Sequence, residues 1–124
     1  MYEITVEASF NATHTIVING EREAVHGHDW RVVVTLAGPE LDGDGLLCDF
    51  HEVEAVLGSI INPWGHTHLN DAAAFKGVEP TAERIAEAIA RSLQQGLEGR
   101  LRGGARVSRV AITEAPGCVA TYLP

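Results

Sequence analysis

Apolar and polar residues alternate, or apolar β-branched residues cluster, near both ends of the chain. In residues 2–10 apolar and polar side chains alternate, and residues 28–37 are rich in valine and other apolar residues. Successive side chains of a strand point to opposite faces, so both segments are predicted to be strands. Residues 106–113 and 118–123 have the same character, and we expect them to be the third and fourth strands.

Between these pairs of strands, apolar residues recur at the spacing of helices. Asp49 is predicted to cap a first helix, which ends before Pro63. Thr81 is predicted to cap a second helix, and a glycine at position 99 closes that segment. Residues 64–79 lack a clear period and are expected to form an irregular loop.

The predicted order of elements is therefore ββααββ, in a single domain covering residues 1–124. This order favours an α+β fold, with a four-stranded antiparallel sheet and both helices on one of its faces. Such a sheet has two open edges, which are unfavourable unless something covers them. We therefore expect several copies of the chain to associate through these edges into a larger β-barrel.

Composition and charge argue against some classes of function. Hydrophobic residues make up 45% of the 124 residues, which is enough for an ordinary core, and the net charge is −8. This charge argues against a general nucleic-acid or membrane-surface binder. The first residues lack the basic start of a signal peptide. The two cysteines, Cys48 and Cys118, are too few for a disulfide framework, so a reducing, cytoplasmic setting is expected.

Three histidines carry the clearest chemical signal. His26 and His28 lie two apart, which places both imidazoles on one face of a strand, and His14 ends another strand-like segment. Three nitrogen ligands with one open position are typical of a catalytic zinc site. The spacing by itself is also compatible with surface or hydrogen-bonded histidines.

A longer set of residues, spread in order over nearly the whole chain, carries a resemblance to a known family. The set comprises Phe10-x-Ala12-x-His14, His26-Gly27-His28, Asp49-Phe50, His66 ahead of Leu69-Asn70-Asp71, Pro80-Thr81-x-Glu83, and Glu114 ahead of Gly117-Cys118. In these residues the chain resembles the 6-pyruvoyltetrahydropterin synthase and 6-carboxytetrahydropterin synthase family.

The resemblance implies both a fold and a chemistry. The family has the tunnelling fold, or T-fold, in which ββααββ subunits form trimeric barrels that stack into hexamers. It implies zinc bound by His14, His26 and His28, and a pterin or similar small molecule anchored by Glu114. A carboxylate can accept two parallel N–H bonds from the edge of a pterin. Family members act on 7,8-dihydroneopterin triphosphate, using zinc, a cysteine base and an Asp–His relay.

The chain departs from the family at two proton-transfer positions. Arg22 stands where the family has its cysteine, and Gly65 precedes His66, where the relay aspartate is usual. Some relatives use a glutamate just ahead of the His-Gly-His motif and make a 6-hydroxymethyl product. Glu23 is therefore a candidate catalytic base, and His66 a candidate proton shuttle.

Several functions stay open at this point. The first is a zinc-dependent lyase that acts on a dihydropterin side chain, with Glu23 as base. Others are an ordinary family reaction with an unrecognised base, or a repurposed, non-catalytic pterin- or purine-binding protein. The weakest hypothesis is a plain metal-binding protein. Arg22, Arg31 and Arg84 are candidates for phosphate binding, although surface ion pairs are the more usual role of such residues.

Overall fold

The computed structural model describes all residues, 1–124. The strands are β1 (Tyr2–His14), β2 (Val17–Ile18), β3 (Glu21–Arg22), β4 (His26–Gly38), β5 (Thr67–His68), β6 (Arg106–Ala115) and β7 (Cys118–Tyr122), and the helices are α1 (Phe50–Ile61) and α2 (Ala82–Gly96). Five strands form one sheet in the order β5-β1-β4-β6-β7, and β2 and β3 form a separate hairpin. The long elements keep the predicted order ββααββ.

The antiparallel ladder between β1 and β4 organises the sheet. It runs without interruption from Tyr2 opposite Gly38 to His14 opposite His26. Both strands are longer than the predicted segments 2–10 and 28–37, because pairing continues through less regular sequence up to the histidines. The ladder therefore ends at the candidate metal ligands and fixes their backbone.

The sheet has five strands, so the prediction of a four-stranded antiparallel sheet is wrong in this respect. The segment expected to be an irregular loop contains β5, which pairs with β1 in parallel, with Ala12 next to Thr67. A hydrogen bond of 2.6 Å from the His66 N–H to the Asn11 carbonyl precedes this pairing. Two residues are too few to produce a hydrophobic period, so the sequence pattern cannot reveal such a strand.

Both helices begin at the predicted caps. The Asp49 carboxylate accepts a 2.9 Å hydrogen bond from the His51 N–H, and the Thr81 hydroxyl accepts one of 3.1 Å from the Arg84 N–H. These bonds satisfy N–H groups that have no partner within the first turn of a helix. The helical residues buried against the rest of the protein are Val53, Leu57 and Ile61 of α1, and Ala82, Ile85, Ala86, Ile89, Ala90 and Leu93 of α2.

The two faces of the sheet differ in chemistry. Alternate residues of the three long strands join the helices in one hydrophobic core, in which Trp30, Val32 and Val34 are fully buried. The opposite face carries polar pairs, including Arg31 with Glu7 at 2.8 Å. This arrangement agrees with the expected helices on one face only. No helix of the structure has both the length and the apolar character needed to span a bilayer.

Candidate metal centre

The pairing of β1 with β4 brings the three histidines together. His14 lies directly opposite His26, and Ala12 lies opposite His28, so all three side chains project from the same face at one end of the ladder. The Nε2 atoms of His14 and His26 are 3.0 Å apart. The ring centroids of His26 and His28 are 4.7 Å apart. The three histidines that the sequence predicts to share a metal site thus lie together in the structure.

Glu114 joins this group from the neighbouring strand β6. It continues the alternation of the buried residues Val110 and Ile112, which places its carboxylate on the same face as the histidines. Its Oε1 lies 3.1 Å from His14 Nε2 and 3.7 Å from His28 Nε2. The ligand atoms of all four residues lie within 4.8 Å of one another, so the set could hold a metal ion.

Backbone carbonyls orient two of the imidazoles. His14 Nδ1 lies 2.8 Å from the Pro80 carbonyl oxygen, and His26 Nδ1 lies 2.9 Å from the Ala24 carbonyl oxygen. A carbonyl can only accept a hydrogen bond, so in both rings Nδ1 carries the proton and donates it. With Nδ1 as the donor, the tautomer that places a lone pair on Nε2 directs that lone pair toward the centre of the group, as metal-bound histidines do.

The geometry of the four donors fits a zinc ion. Two Nε2 lone pairs facing each other at 3.0 Å, with a carboxylate oxygen 3.1 Å from one of them, repel unless a cation or proton lies between them. His28 Nε2 is buried and has no hydrogen-bond partner. Zinc bonds of about 2.0–2.1 Å in a tetrahedron separate the ligand atoms by roughly 3.3 Å, and three separations within the group, 3.0, 3.1 and 3.7 Å, lie near this value.

The surroundings of His28 disfavour its charged form. Its removal from solvent lowers the pKa of His28 below the usual value, which outweighs the attraction of the Glu114 carboxylate for the charged form. Trp30 lies beneath the group, with its ring centroid 4.8 Å from that of His14 and 5.1 Å from that of His28. An uncharged imidazole is the form that binds a metal.

Glu23 lies beside the cluster, on the hairpin formed by β2 and β3. Its Oε1 is 3.5 Å from His26 Nε2, and it accepts a 3.2 Å hydrogen bond from the Ile16 N–H. The Glu23 carbonyl accepts a further bond of 2.6 Å from the Thr15 hydroxyl. The carboxylate is thus aimed at the metal ligands by backbone contacts, without being one of the four clustered donors.

Other candidates lie outside the cluster. His66 is exposed and adopts a left-handed backbone conformation with φ of 58°, which is unusual for a residue with a side chain. Cys48 is buried before α1 and Cys118 is exposed on β7, so neither belongs to the donor set.

The three arginines considered for phosphate binding are all engaged in ion pairs. Arg22 pairs with Glu79, Arg31 with Glu7 and Arg84 with Glu87.

An open groove of about 400 Å³ adjoins the cluster, and its lining includes His28, Thr113 and Glu114. The groove therefore lies next to the clustered donors, and Glu114 belongs both to its lining and to the cluster. Sequence reasoning did not foresee that Pro80 and Ala24 orient the histidines, because any residue supplies a backbone carbonyl. It assigned Glu114 to substrate alone, although strand alternation from Val110 indicates that it shares a face with the histidines.

Comparison with known proteins relates the chain to one family of enzymes. Residues 3–124 match the family model described as 6-pyruvoyl tetrahydropterin synthase. The chain is 31% identical, over an alignment of 130 positions, to the 6-carboxy-5,6,7,8-tetrahydropterin synthase of Bacillus subtilis, covering 99% of this chain and 86% of the relative. It is 28% identical over 111 positions to a putative 6-carboxy-5,6,7,8-tetrahydropterin synthase of Archaeoglobus fulgidus, covering 90% and 86%.

Solved structures share the fold. The 6-pyruvoyl tetrahydropterin synthase of Caenorhabditis elegans superimposes with a TM-score of 0.79 at 24% identity, covering 100% of this chain and 97% of the other. A variant of the Plasmodium vivax 6-pyruvoyltetrahydropterin synthase, in which a glutamate described as a catalytic residue is replaced by alanine, gives 0.80 at 22% identity, covering 98% and 96%.

These likenesses confirm the expected T-fold. The expectation of an enzyme is also confirmed, since the matched sequence relatives are synthases of the lyase class. The match over residues 3–124, with the relative of 31% identity, shows that the chain belongs to the 6-pyruvoyl tetrahydropterin synthase family.

Proposed function

We propose that the protein is a zinc-dependent lyase that cleaves the side chain of a dihydropterin such as 7,8-dihydroneopterin triphosphate. The observation that carries this proposal is the convergence of three histidine Nε2 atoms, with the Glu23 carboxylate 3.5 Å from one of them. Three neutral nitrogens that leave a position for substrate are the ligand set of catalytic zinc. A carboxylate beside them is suited to act as a base.

In this proposal the protein holds and orients the metal through its strands. His14, His26 and His28 would bind zinc, with the Pro80 and Ala24 carbonyls fixing two of the rings. When bound, zinc supplies a Lewis acid that makes the hydroxyl groups of the substrate side chain more acidic.

Glu23 is the base in this mechanism. It accepts the proton of the second side-chain hydroxyl, the bond between the first and second side-chain carbons breaks, and the electron pair enters the conjugated C=N of the ring. The first carbon is then protonated, which leaves a 6-hydroxymethyl product and an aldehyde. Neither cysteine belongs to the cluster, and Arg22 is paired with Glu79. The glutamate of the Plasmodium vivax relative that is described as catalytic supports this role.

Glu114 is proposed to bind the pterin ring in the adjoining groove. Its Oε1 faces the histidines, so the carboxylate lies between the metal ligands and the groove. In that position one side chain can contact the metal site and accept N–H bonds from the 2-amino-pyrimidinone edge. Thr113 lines the same groove and offers a further polar contact.

His66 is proposed to move the second proton, from a neighbouring subunit. It is exposed and lies outside the cluster of its own chain, as expected if it completes a site on another copy. The proposal therefore includes a homo-oligomer, a hexamer built from two trimers, in which the edges formed by β5 and β7 meet.

The decisive experiment incubates zinc-loaded protein with 7,8-dihydroneopterin triphosphate and identifies the products by mass spectrometry. A 6-hydroxymethyl-dihydropterin product is expected, and Glu23→Gln should lower turnover by about 10²–10⁴-fold while zinc stays bound. Glu21→Gln is the matched control, because Glu21 is exposed on the same hairpin. A 6-carboxy or 6-pyruvoyl product would contradict the proposed cleavage, and full activity of Glu23→Gln would remove Glu23 from the mechanism.

A second candidate function is a repurposed protein that binds a pterin or purine without turnover. The observation that favours it is the replacement of two proton-transfer residues, by Arg22 and Gly65. Under this alternative, calorimetry would show pterin binding that Glu114→Ala weakens, while the substrate stays intact in the product assay.

A further inference from the structure

An ion pair joins two segments that each touch the metal centre. Arg22, at the end of the hairpin, donates to both carboxylate oxygens of Glu79, with N–O distances of 2.6 and 3.3 Å. Glu79 lies in the segment that leads into α2. The pair is bidentate, which fixes the angle between the two segments as well as their distance.

Each partner is next in sequence to a residue of the site. Arg22 precedes Glu23, whose carboxylate lies beside His26. Glu79 precedes Pro80, whose carbonyl accepts the hydrogen bond from His14 Nδ1. A displacement of either segment would therefore move the carboxylate of Glu23 or the proton acceptor that orients His14.

A third contact ties the same guanidinium to the strand that carries His14. Arg22 Nη1 lies 3.5 Å from the Thr15 carbonyl, and Thr15 immediately follows His14. The Thr15 hydroxyl in turn donates to the Glu23 carbonyl at 2.6 Å. Arg22 thus contacts both the segment that leads into α2 and the end of the strand that carries His14.

We propose that Arg22 and Glu79 are positioning residues that hold Glu23 and the Pro80 carbonyl in register with the metal ligands. The part that concerns Glu23 rests on the proposed function, and the part that concerns His14 does not. Arg22 stands where the resembled family has a cysteine, so this chain uses the position for geometry instead of proton transfer. Both side chains are substantially exposed, at 50% and 37%, and such pairs contribute little to global stability.

The test compares Glu79→Gln and Arg22→Gln with Glu87→Gln. Glu87 is a suitable control, because it pairs with Arg84 and Arg91 on α2 and lies outside the cluster. Zinc affinity is measured by competition with a chromophoric chelator, and hydrogen exchange of the Ile16 and Glu23 amides is measured on metal-free protein. Thermal melting verifies that each variant is folded.

We expect Glu79→Gln and Arg22→Gln to weaken zinc binding by about tenfold, as the loss of outer contacts to metal ligands does. The Ile16 and Glu23 amides should exchange faster by about the same factor, because the hairpin opens more often. The reversed pair, Arg22→Glu with Glu79→Arg, should recover most of both losses. On a working substrate, kcat should fall while KM changes less than about twofold.

The proposal is overturned if Glu79→Gln matches Glu87→Gln in both zinc affinity and amide exchange, or if the reversed pair recovers nothing. Neither readout needs turnover. Absence of activity toward the dihydropterin in the unmodified protein would therefore count against the proposed function and leave the test of the ion pair unaffected. Raising the salt concentration offers an independent measurement, since it should weaken zinc binding more in the unmodified protein than in Glu79→Gln.

Discussion

The two carboxylates next to the histidines are supported by different parts of the molecule. Glu114 lies near the end of a ten-residue strand of the main sheet, at a register shift in the pairing with β7, and the strand as a whole is paired on both sides and backed by the core. Glu23 follows a hairpin whose strands have two residues each, and it is held by a few backbone contacts and the nearby Arg22–Glu79 pair. A long strand resists displacement, whereas a short hairpin opens at little cost.

Because of this difference, we expect metal binding to depend mainly on the sheet and the reaction at the metal to depend mainly on the hairpin. The sheet supplies His14, His26, His28 and Glu114, the four donors that lie within reach of one ion. The hairpin supplies the proposed base. Substitution of the Glu23 carboxylate is therefore expected to change the reaction while the four clustered donors stay in place.

The largest expected effect follows from removing the sheet's most buried ligand. His14 is fully buried, so His14→Ala should weaken zinc binding by more than about 100-fold and leave the Pro80 carbonyl without its donor. The lost hydrogen bond should also lower the free energy of unfolding by about 1–3 kcal/mol. Metal analysis after dialysis and denaturant unfolding measure the two effects. His51→Ala, at a side chain that is 89% exposed, should change neither.

Removal of the metal should destabilise the folded protein and loosen the end of the sheet that carries the histidines. At free zinc about 100 times above Kd, the folded protein gains about 2.7 kcal/mol from binding, and a chelator removes this gain. Amides at the paired ends His14 and His26 should then exchange faster, while those near Tyr2 and Gly38 should not. A uniform change along the ladder would show that its two ends are coupled as one unit.

The third effect compares the two carboxylates directly. Glu114→Gln should weaken zinc binding by about tenfold, because it removes a negative charge that lies 3.1 Å from His14 Nε2 and favours a cation at the group. Glu23→Gln should change zinc affinity by less than about twofold, since its partly exposed carboxylate is not among the four clustered donors. Chelator competition on both variants measures this. Equal losses would mean that both carboxylates support the metal alike, and the separation of binding from chemistry would fail.

The smallest effect concerns the cysteines. Cys48→Ser and Cys118→Ser should each leave turnover within about twofold, because neither thiol belongs to the metal cluster. Burial raises the pKa of the Cys48 thiol, so iodoacetamide should modify the exposed Cys118 more than about tenfold faster. Peptide mass mapping follows both rates. A large loss of activity in either variant would indicate that the replaced cysteine takes part in the reaction.

The features that the sequence predicted correctly depend on the local period of apolar residues and on the spacing of the histidines. Alternation located the strands that became β1 and β4, capping residues located the helices, and the spacing of His26 and His28 predicted their common face. It also named Glu23 and Glu114, through the resemblance to the family, and both lie at the cluster.

What it missed depends on contacts between distant segments. Strand β5 exists only because Thr67 and His68 pair with β1, and two residues have no recognisable period. The Arg22–Glu79 pair joins positions 57 residues apart, and neither local sequence predicts it. The left-handed conformation of His66 is equally invisible, because the tertiary structure imposes it on a residue that does not prefer it.

The register of the β1–β4 ladder has a consequence for folding. His14 meets His26 only at the end of thirteen consecutive residue pairs. A slip by one residue would put Gly27 opposite His14 and turn the side chains of one strand to the wrong face. Such a misaligned chain cannot assemble the donor set, so it gains nothing from zinc. Zinc binding would therefore stabilise only correctly aligned chains. We expect that zinc supplied during synthesis raises the yield of native protein.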